Sequence, residues 1–337
     1  MGVNLSSLVP KKEISFEELS NKKIAVDASQ MLYQFLSSIR QPDGTSLSDS
    51  KGRTTSHLVG LSTRIPNLIS RGLKLCFVFD GTPPEMKQEE LALRTQRKQE
   101  ARAKLAKARE EEDYEAVSRY TKQSISVYKE MTEEAKQLIL SFGLPVIQAP
   151  SEAEAQAAFL AKNHDVDIVA SSDYDALLYH APLMVRNLTL ASRRRLPSGM
   201  YISVTPELIS LQETLTSLGI THDKLLLLSI MVGTDFNPKG IKGIGPKTAL
   251  KLVKEATNPD AMFKSLNPDF DWKKIYTLFK NMPVEKNYRL SWNQPEPEKI
   301  KNILLEHDFN PERVDKLISS LETTSKQKSQ SNLGNWF

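Results

Sequence analysis

Three short apolar runs along the chain each deliver an acidic residue at or just past their end. Ile24-Ala25-Val26 leads to Asp27, Cys76-Phe77-Val78-Phe79 to Asp80, and Ile168-Val169-Ala170 to Asp173. Continuous apolar runs of this length predict buried parallel strands. Helical periodicity lies between them, as in Met31 to Ile39 and Thr54 to Leu68. This alternation predicts an α/β fold: a mainly parallel central sheet with helices on both faces. In such sheets ligands bind beyond the carboxyl ends of the strands, where these acids fall.

From Glu85 to about Ser141 the pattern changes to a long charged segment with no Gly or Pro between Pro84 and Gly143. It predicts consecutive helices inserted into the α/β alternation. A strand at Leu144 to Gln148 and a helix from Glu152 resume the alternation, and the chain turns mainly helical after Thr205. The expected organisation is an α/β body in two parts, 1–84 and 142–322, split by a helical insertion at 85–141. A polar tail, 323–337, is expected to be flexible from Thr323 to Asn332.

Composition excludes several classes. With 337 residues and ordinary globular composition the chain can bury a large core. A single cysteine, Cys76, sits inside an apolar run and rules out a disulfide or a cysteine-based zinc site. No apolar stretch has the length of a membrane span and no signal-peptide pattern opens the chain, so an intracellular protein without a membrane partner is expected. Met1-Gly2-Val3-Asn4-Leu5-Ser6 fits the loose myristoylation pattern, but no second anchor follows and an ordinary N-terminus is expected. The net charge is only +4, so a polyanionic partner is suggested by where the basic residues cluster rather than by their sum.

Seven acids stand where such a fold could bring them together: Asp27, Asp80, Glu152, Glu154, Asp173, Asp175 and Asp235. Crowded carboxylates repel one another unless cations reward their company. A pair of hard divalent ions roughly 4 Å apart suits that many oxygen donors and can hydrolyse phosphodiesters. Structural readings stand beside this one. Ser151 with Glu154, and Ser172 with Asp175, each have the spacing of a helix capping box. Asp27 and Asp80 resist that reading better, because each follows a buried strand.

Val26-Asp27-Ala28-Ser29, Val78-Phe79-Asp80-Gly81 with Pro83-Pro84, Ala149-Pro150-Ser151-Glu152-Ala153-Glu154-Ala155 and Val232-Gly233-Thr234-Asp235 together resemble the motifs of the XPG-type 5′ nucleases. Their order and separation match the flap endonuclease branch, and the missing long basic tail resembles its archaeal type. The resemblance implies a structure-specific DNA endonuclease with 5′-3′ exonuclease activity that removes 5′ flaps in replication and repair. All seven acids would then be ligands of two Mg²⁺ ions, with Mn²⁺ a substitute, and the enzyme a monomer of the archaeal cytoplasm or nucleoid. The rival readings are a 5′ exonuclease or junction resolvase of the same superfamily, and a non-catalytic clamp-tethered DNA-binding protein.

Lys87 and Arg94 lie seven residues apart, about two helical turns, so a continuous helix puts both on one face. The alternative is a solvated helix face; the family's catalytic Lys and Arg fall on these positions. Between Leu91 and Arg109 seven basic residues face one acid, Glu100, which suits contact with a phosphate backbone. In the family this segment forms an arch through or under which the single-stranded flap passes. Tyr33 occupies the position whose ring stacks on a base, with core packing as the alternative.

Gly240-Ile241-Lys242-Gly243-Ile244-Gly245-Pro246-Lys247 combines a tight turn with proline at a helix start. It resembles the helix–two-turn–helix element that grips duplex DNA and holds K⁺, with Gly243, Gly245, Lys242 and Lys247 as its contacts. At the C-terminus Gln330, Leu333, Trp336 and Phe337 have the spacing of a sliding-clamp-binding box, against packing of the two aromatics on the protein's own surface. Trp336 departs from the family's usual Phe-Phe. His57 and His180 lack zinc-ligand spacing and are expected to be structural, and Arg193-Arg194-Arg195 is expected to be a solvated basic loop.

Overall fold

The computed structural model describes residues 2–41, 44–189, 193–195 and 200–333. Its strands are β1 (Lys12–Glu13), β2 (Lys23–Asp27), β3 (Lys74–Phe79), β4 (Val146–Gln148), β5 (Ile168–Ala170), β6 (Leu183–Arg186), β7 (Arg193–Arg195), β8 (Tyr201–Ser203) and β9 (Glu207–Ser210). Seven form one sheet in the order β1-β9-β6-β5-β2-β3-β4. The run from β6 through β4 is parallel, and β9 and β1 add antiparallel strands at one edge. The mainly parallel α/β sheet expected from the apolar runs is therefore present.

Both faces of this sheet are covered because alternate residues of its central strands point to opposite sides. Ala25, Cys76, Val78 and Val169 enter one core. Ile24, Val26, Leu75, Phe77 and Phe79 enter the other. The first core is closed by α6 (Ala153–Lys162), α7 (Asp175–Leu178), α8 (Leu211–Leu218) and α9 (His222–Val232). The second is closed by α1 (Ala28–Ser38), α2 (Ser56–Ser70) and α5 (Lys129–Ser141). Burial pushes the Cys76 thiol up to about 12, so it serves as a small apolar side chain.

The inserted segment begins with a single 3₁₀ turn, Glu85–Lys87, and continues as α3 (Gln88–Glu110) and α4 (Tyr114–Gln123). Asp113 caps α4 by accepting from the Ala116 amide at 3.0 Å. Ala108, Ala116 and Val117 form a small core of their own between these two helices. Helix α5, also inside the 85–141 segment, instead buries Ala135, Leu138 and Ile139 in the main core.

Beyond α9 lie α10 (Pro246–Glu255), α11 (Pro259–Leu266), α12 (Trp272–Lys280), α13 (Pro297–Glu306) and α14 (Pro311–Leu333). Two expectations are corrected here. The polar stretch Thr323 to Asn332 continues α14; it contains no Pro or Gly that would stop a helix. Arg193–Arg195 is not a loop but strand β7, paired antiparallel with β8. Among the described residues no single helix is long and apolar enough to cross a membrane.

Candidate active site

Four neighbouring strands, β5, β2, β3 and β4, end on the same edge, and the chain leaving each carries an acid. Asp27 is the last residue of β2, Asp80 follows β3, Glu152 and Glu154 follow β4, and Asp173 and Asp175 follow β5. Asp235 arrives from the turn after α9. Asn237 shapes that turn: its Oδ1 accepts from the Thr234 amide at 3.1 Å and hydroxyl at 2.7 Å, while its Nδ2 donates to the Ile230 carbonyl at 2.7 Å.

Two of the acids are buried. Asp27 is 7 % exposed and Asp175 5 %. Burial, then the charges of Asp80, Asp173 and Glu152, holds the Asp27 carboxyl well above the usual range. Burial, then Asp175, Asp27 and Asp173, does the same to Glu154. Asp175 is pushed up to about 7 by burial and by Asp235 and Asp173, against the Val3 amide that donates to its Oδ1 at 2.8 Å. All seven sequence-predicted acids thus face one region.

Lys87 and Arg94 converge on it as well. Lys87 Nζ lies 2.6 Å from Glu152 Oε2 and 3.1 Å from Asp235 Oδ2. Arg94 donates to the same Asp235 oxygen at 3.2 Å, and its Nε is held by Glu90 one turn earlier. Burial would raise Asp235, yet Lys87 and Arg94 outweigh it and keep its carboxyl below the usual range. The 3₁₀ turn before α3 replaces the continuous α-helix expected from the spacing without separating the two cations.

The capping alternatives resolve in an unexpected direction. Helix α6 starts after Glu152, and neither Ser151 nor Glu154 caps it; Glu154 accepts instead from Ser171 Oγ at 2.7 Å. Helix α7 has no side-chain cap, so Asp175 is free of the Ser172 capping box. Asp27, by contrast, caps α1 through the Gln30 amide at 2.9 Å, and Asp80 accepts from the Ala153 amide at the start of α6 at 2.8 Å. A helix-start role and a place in the acid cluster are compatible, because each carboxylate has two oxygens.

A divalent cation fits this donor set by its chemistry: Asp27, Glu154 and Asp175 are buried among like charges that raise their proton affinity, while Lys87 and Arg94 bond Glu152 and Asp235 among the seven acids. As the side chains stand, no group of three or more His, Cys, Asp or Glu among the described residues forms a ready cage for one ion.

Comparison with known proteins now bears on the same residues. The XPG N-terminal domain model matches residues 1–101 and the XPG I-region model residues 143–235. A flap endonuclease 1 from Pyrococcus horikoshii is 47 % identical over 339 residues, covering 100 % of this chain and 98 % of that protein. The chain belongs to the flap endonuclease family. A second member, from Aeropyrum pernix, is 44 % identical over 350 residues with both chains fully covered. The solved flap endonuclease-1 from Methanococcus jannaschii superposes with a TM-score of 0.78 at 39 % identity, covering 97 % of this chain and 100 % of that one.

Within this flap endonuclease fold, Tyr33 stands 43 % exposed on α1, which sets aside core packing. It rims a cavity of about 260 Å³ that also touches Asp27, Gln30, Asn187 and Thr189. The glycine-rich turn joins α9 to α10. Gly240, at φ +55, has no room for a Cβ, which would lie 2.4 Å from the Val232 carbonyl oxygen, and Gly243 turns at φ +82. Gly245 needs no such freedom; it precedes Pro246, the first residue of α10, while Lys242 and Lys247 are exposed beside it. Gln330 and Leu333 fall on the last turns of α14, their side chains outside the described ones, and Trp336 and Phe337 lie outside the described residues.

His57 is buried against Glu134 at 3.1 Å, and His180 stacks on His222 with ring centroids 3.4 Å apart. Sequence reading missed Ser171, Gln30, Glu90 and the Val3 amide, all of which touch site residues. Of these only Ser171 carried a signal, a polar residue directly after a buried strand.

Proposed function

We propose that the chain cuts branched DNA at the base of a 5′ flap, with the acid cluster at the sheet's carboxyl edge as its hydrolytic centre. One observation carries this reading: seven acids from five segments of the chain meet there, and Lys87 and Arg94 bond to a single carboxylate among them. The flap endonuclease family membership supplies the substrate class.

Asp27, Asp80, Glu152, Glu154, Asp173, Asp175 and Asp235 would hold two Mg²⁺ ions, or Mn²⁺ in their place. Such ions supply a nucleophilic water at neutral pH and offset charge on the departing oxygen. The chain's own residues do the rest. An entering phosphodiester competes with Asp235 for Lys87 and Arg94, which then hold its non-bridging oxygens as their charge grows. Tyr33, exposed at the rim beside Asp27, stacks on the adjacent base. The basic face of α3 tracks the single-stranded flap through its phosphates, and a gate of this kind favours a free 5′ end.

The turn at Gly243 and Gly245, with Lys242 and Lys247, grips the duplex backbone where amide groups open α10, with K⁺ held alongside. Duplex arms joined at an interrupted strand bend easily, so the substrate is read by shape. Gln330, Leu333, Trp336 and Phe337 tether the enzyme to a sliding clamp. The protein works inside the cell as a monomer and trims 5′ ends exonucleolytically as well.

Cleavage of a 5′-flap substrate, a blunt duplex and a closed four-way junction, each with Mg²⁺ and with chelator, tests the reading. Mg²⁺-dependent cutting that favours the flap supports it. Preference for the blunt duplex would assign an exonuclease, preference for the closed junction a resolvase, and binding without cutting a tethered DNA-binding protein.

A further inference from the structure

Behind the acids lies a polar link that no motif announces. Ser171 follows β5 directly and is 6 % exposed. Its hydroxyl has one proton to give, and the nearest acceptor is Glu154 Oε1 at 2.7 Å. Ser171 Oγ itself accepts from the Asp173 amide at 3.1 Å. Gln30 extends the link: its Oε1 lies 3.2 Å from Ser171 Oγ and accepts from the Ser172 amide, while its Nε2 donates to Asp173 Oδ2 at 3.0 Å. The Gln30 backbone amide, in turn, donates to Asp27.

One hydroxyl therefore ties the Glu154 carboxylate on α6 to the Asp173 backbone in the turn after β5, and the Gln30 side chain holds the Asp173 carboxylate and carries the connection to α1. Glu154 has particular need of it. The carboxylates around it repel it, so an unrestrained side chain would rotate away from Asp27, Asp173 and Asp175. The serine donor offsets that repulsion at a fixed position, and the price of losing it falls on whatever ion the acids share.

We propose that Ser171 is a positioning residue that sets Glu154 and Asp173 at the spacing a shared divalent cation needs. The inference rests on the ion-binding reading of the acid cluster. It makes Ser171 act through the carboxylates and assigns it no contact with DNA.

The test uses the full chain, stripped of metal, with Mn²⁺ titrated calorimetrically near neutral pH into the wild type, Ser171→Ala and Ser171→Thr. Ser171→Ala weakens Mn²⁺ binding about tenfold and raises the Mg²⁺ concentration for half-maximal flap cleavage by a similar factor. Cleavage recovers at saturating Mg²⁺, and the KM for flap DNA does not move. Ser171→Thr keeps the hydroxyl and restores wild-type ion affinity. Thermal melts in chelator verify that each variant is folded. Unchanged Mn²⁺ affinity in Ser171→Ala, or equal weakening in Ser171→Thr, overturns the inference. A wild type that cuts flaps yet binds no Mn²⁺ rejects the ion-binding reading itself.

Discussion

Two charged clusters in this molecule use the same residue types to opposite ends. On one side, segment 49–57, α5 and α13 are joined by Asp49, Arg53, His57, Glu134, Glu306 and His307. Asp49, its side chain fully enclosed, bonds Arg53 Nε at 2.7 Å and His307 Nδ1 at 3.2 Å. Glu134 meets His57 at 3.1 Å and His307 at 3.4 Å, and Arg53 also reaches Glu306 at 3.0 Å. Burial pushes the Asp49 and Glu134 carboxyls up, but the Arg53 bonds and the histidines outweigh it and both end below their usual range. At the carboxyl edge of the sheet, burial is reinforced by like charges, and Asp27, Glu154 and Asp175 end above it. A cluster whose carboxylates are each bonded by an arginine or an imidazole holds structure together; one whose buried carboxylates crowd one another suits a cation brought from outside.

The largest test of this contrast removes an acid. Asp235→Ala or Asp173→Ala is expected to retain flap binding and to lose Mg²⁺-dependent cutting, followed by gel shift and cleavage on the same substrate. Unchanged cutting would place the chemistry elsewhere. Next comes Lys87→Ala, expected to lower kcat by about 10² to 10³-fold with little change in flap affinity, since it removes a charge aimed at the reacting phosphate. The matching change in the Asp49–Glu134 cluster, His57→Ala, should instead cost about 2 kcal/mol of stability through a lost buried ring and hydrogen bond. Its cleavage rate at moderate temperature should stay near wild type, and its loss of stability should be the same with chelator or Mg²⁺.

The pH dependence sharpens the comparison further. The raised proton affinity of Asp175 contributes stability that is fully present below 3.8 and lost as pH rises to about 7. Divalent ions bind the ionised form, so the rise in Tm on adding Mg²⁺ should be small near the bottom of that window and grow toward its top. A rise in Tm that is independent of pH would contradict the assignment. The smallest expected effect is at Tyr33: Tyr33→Ala should weaken flap binding by about 1–3 kcal/mol of lost stacking, read as KM, while leaving Mg²⁺ dependence unchanged.

The central sheet was legible in the sequence because buried parallel strands are continuous apolar runs, and Ile24 to Val26 and Cys76 to Phe79 have nowhere else to go. The seven acids were legible because each stands at a fixed offset from such a run or within a motif. What could not be read was which carboxylate oxygens the fold would occupy. Ser151 and Glu154 have capping-box spacing, yet α6 begins one residue later than that box requires, and Glu154 turns to Ser171. Asp27 and Asp80, whose place after buried strands spoke against a capping role, are the ones bonded to helix-start amides. Partners 17 to 143 residues apart, as in Glu154–Ser171 and Gln30–Asp173, leave no local signature. The same limit applies to α14, whose polar composition reads as a loose tail although nothing in it breaks a helix.

The most direct measurement is anomalous diffraction from crystals of the protein equilibrated with Mn²⁺. The acid cluster predicts strong peaks within coordination distance of carboxylates drawn from Asp27, Asp80, Glu152, Glu154, Asp173, Asp175 and Asp235. Crystals of protein active on flaps that show no ion there, or show it bound elsewhere, would contradict the account.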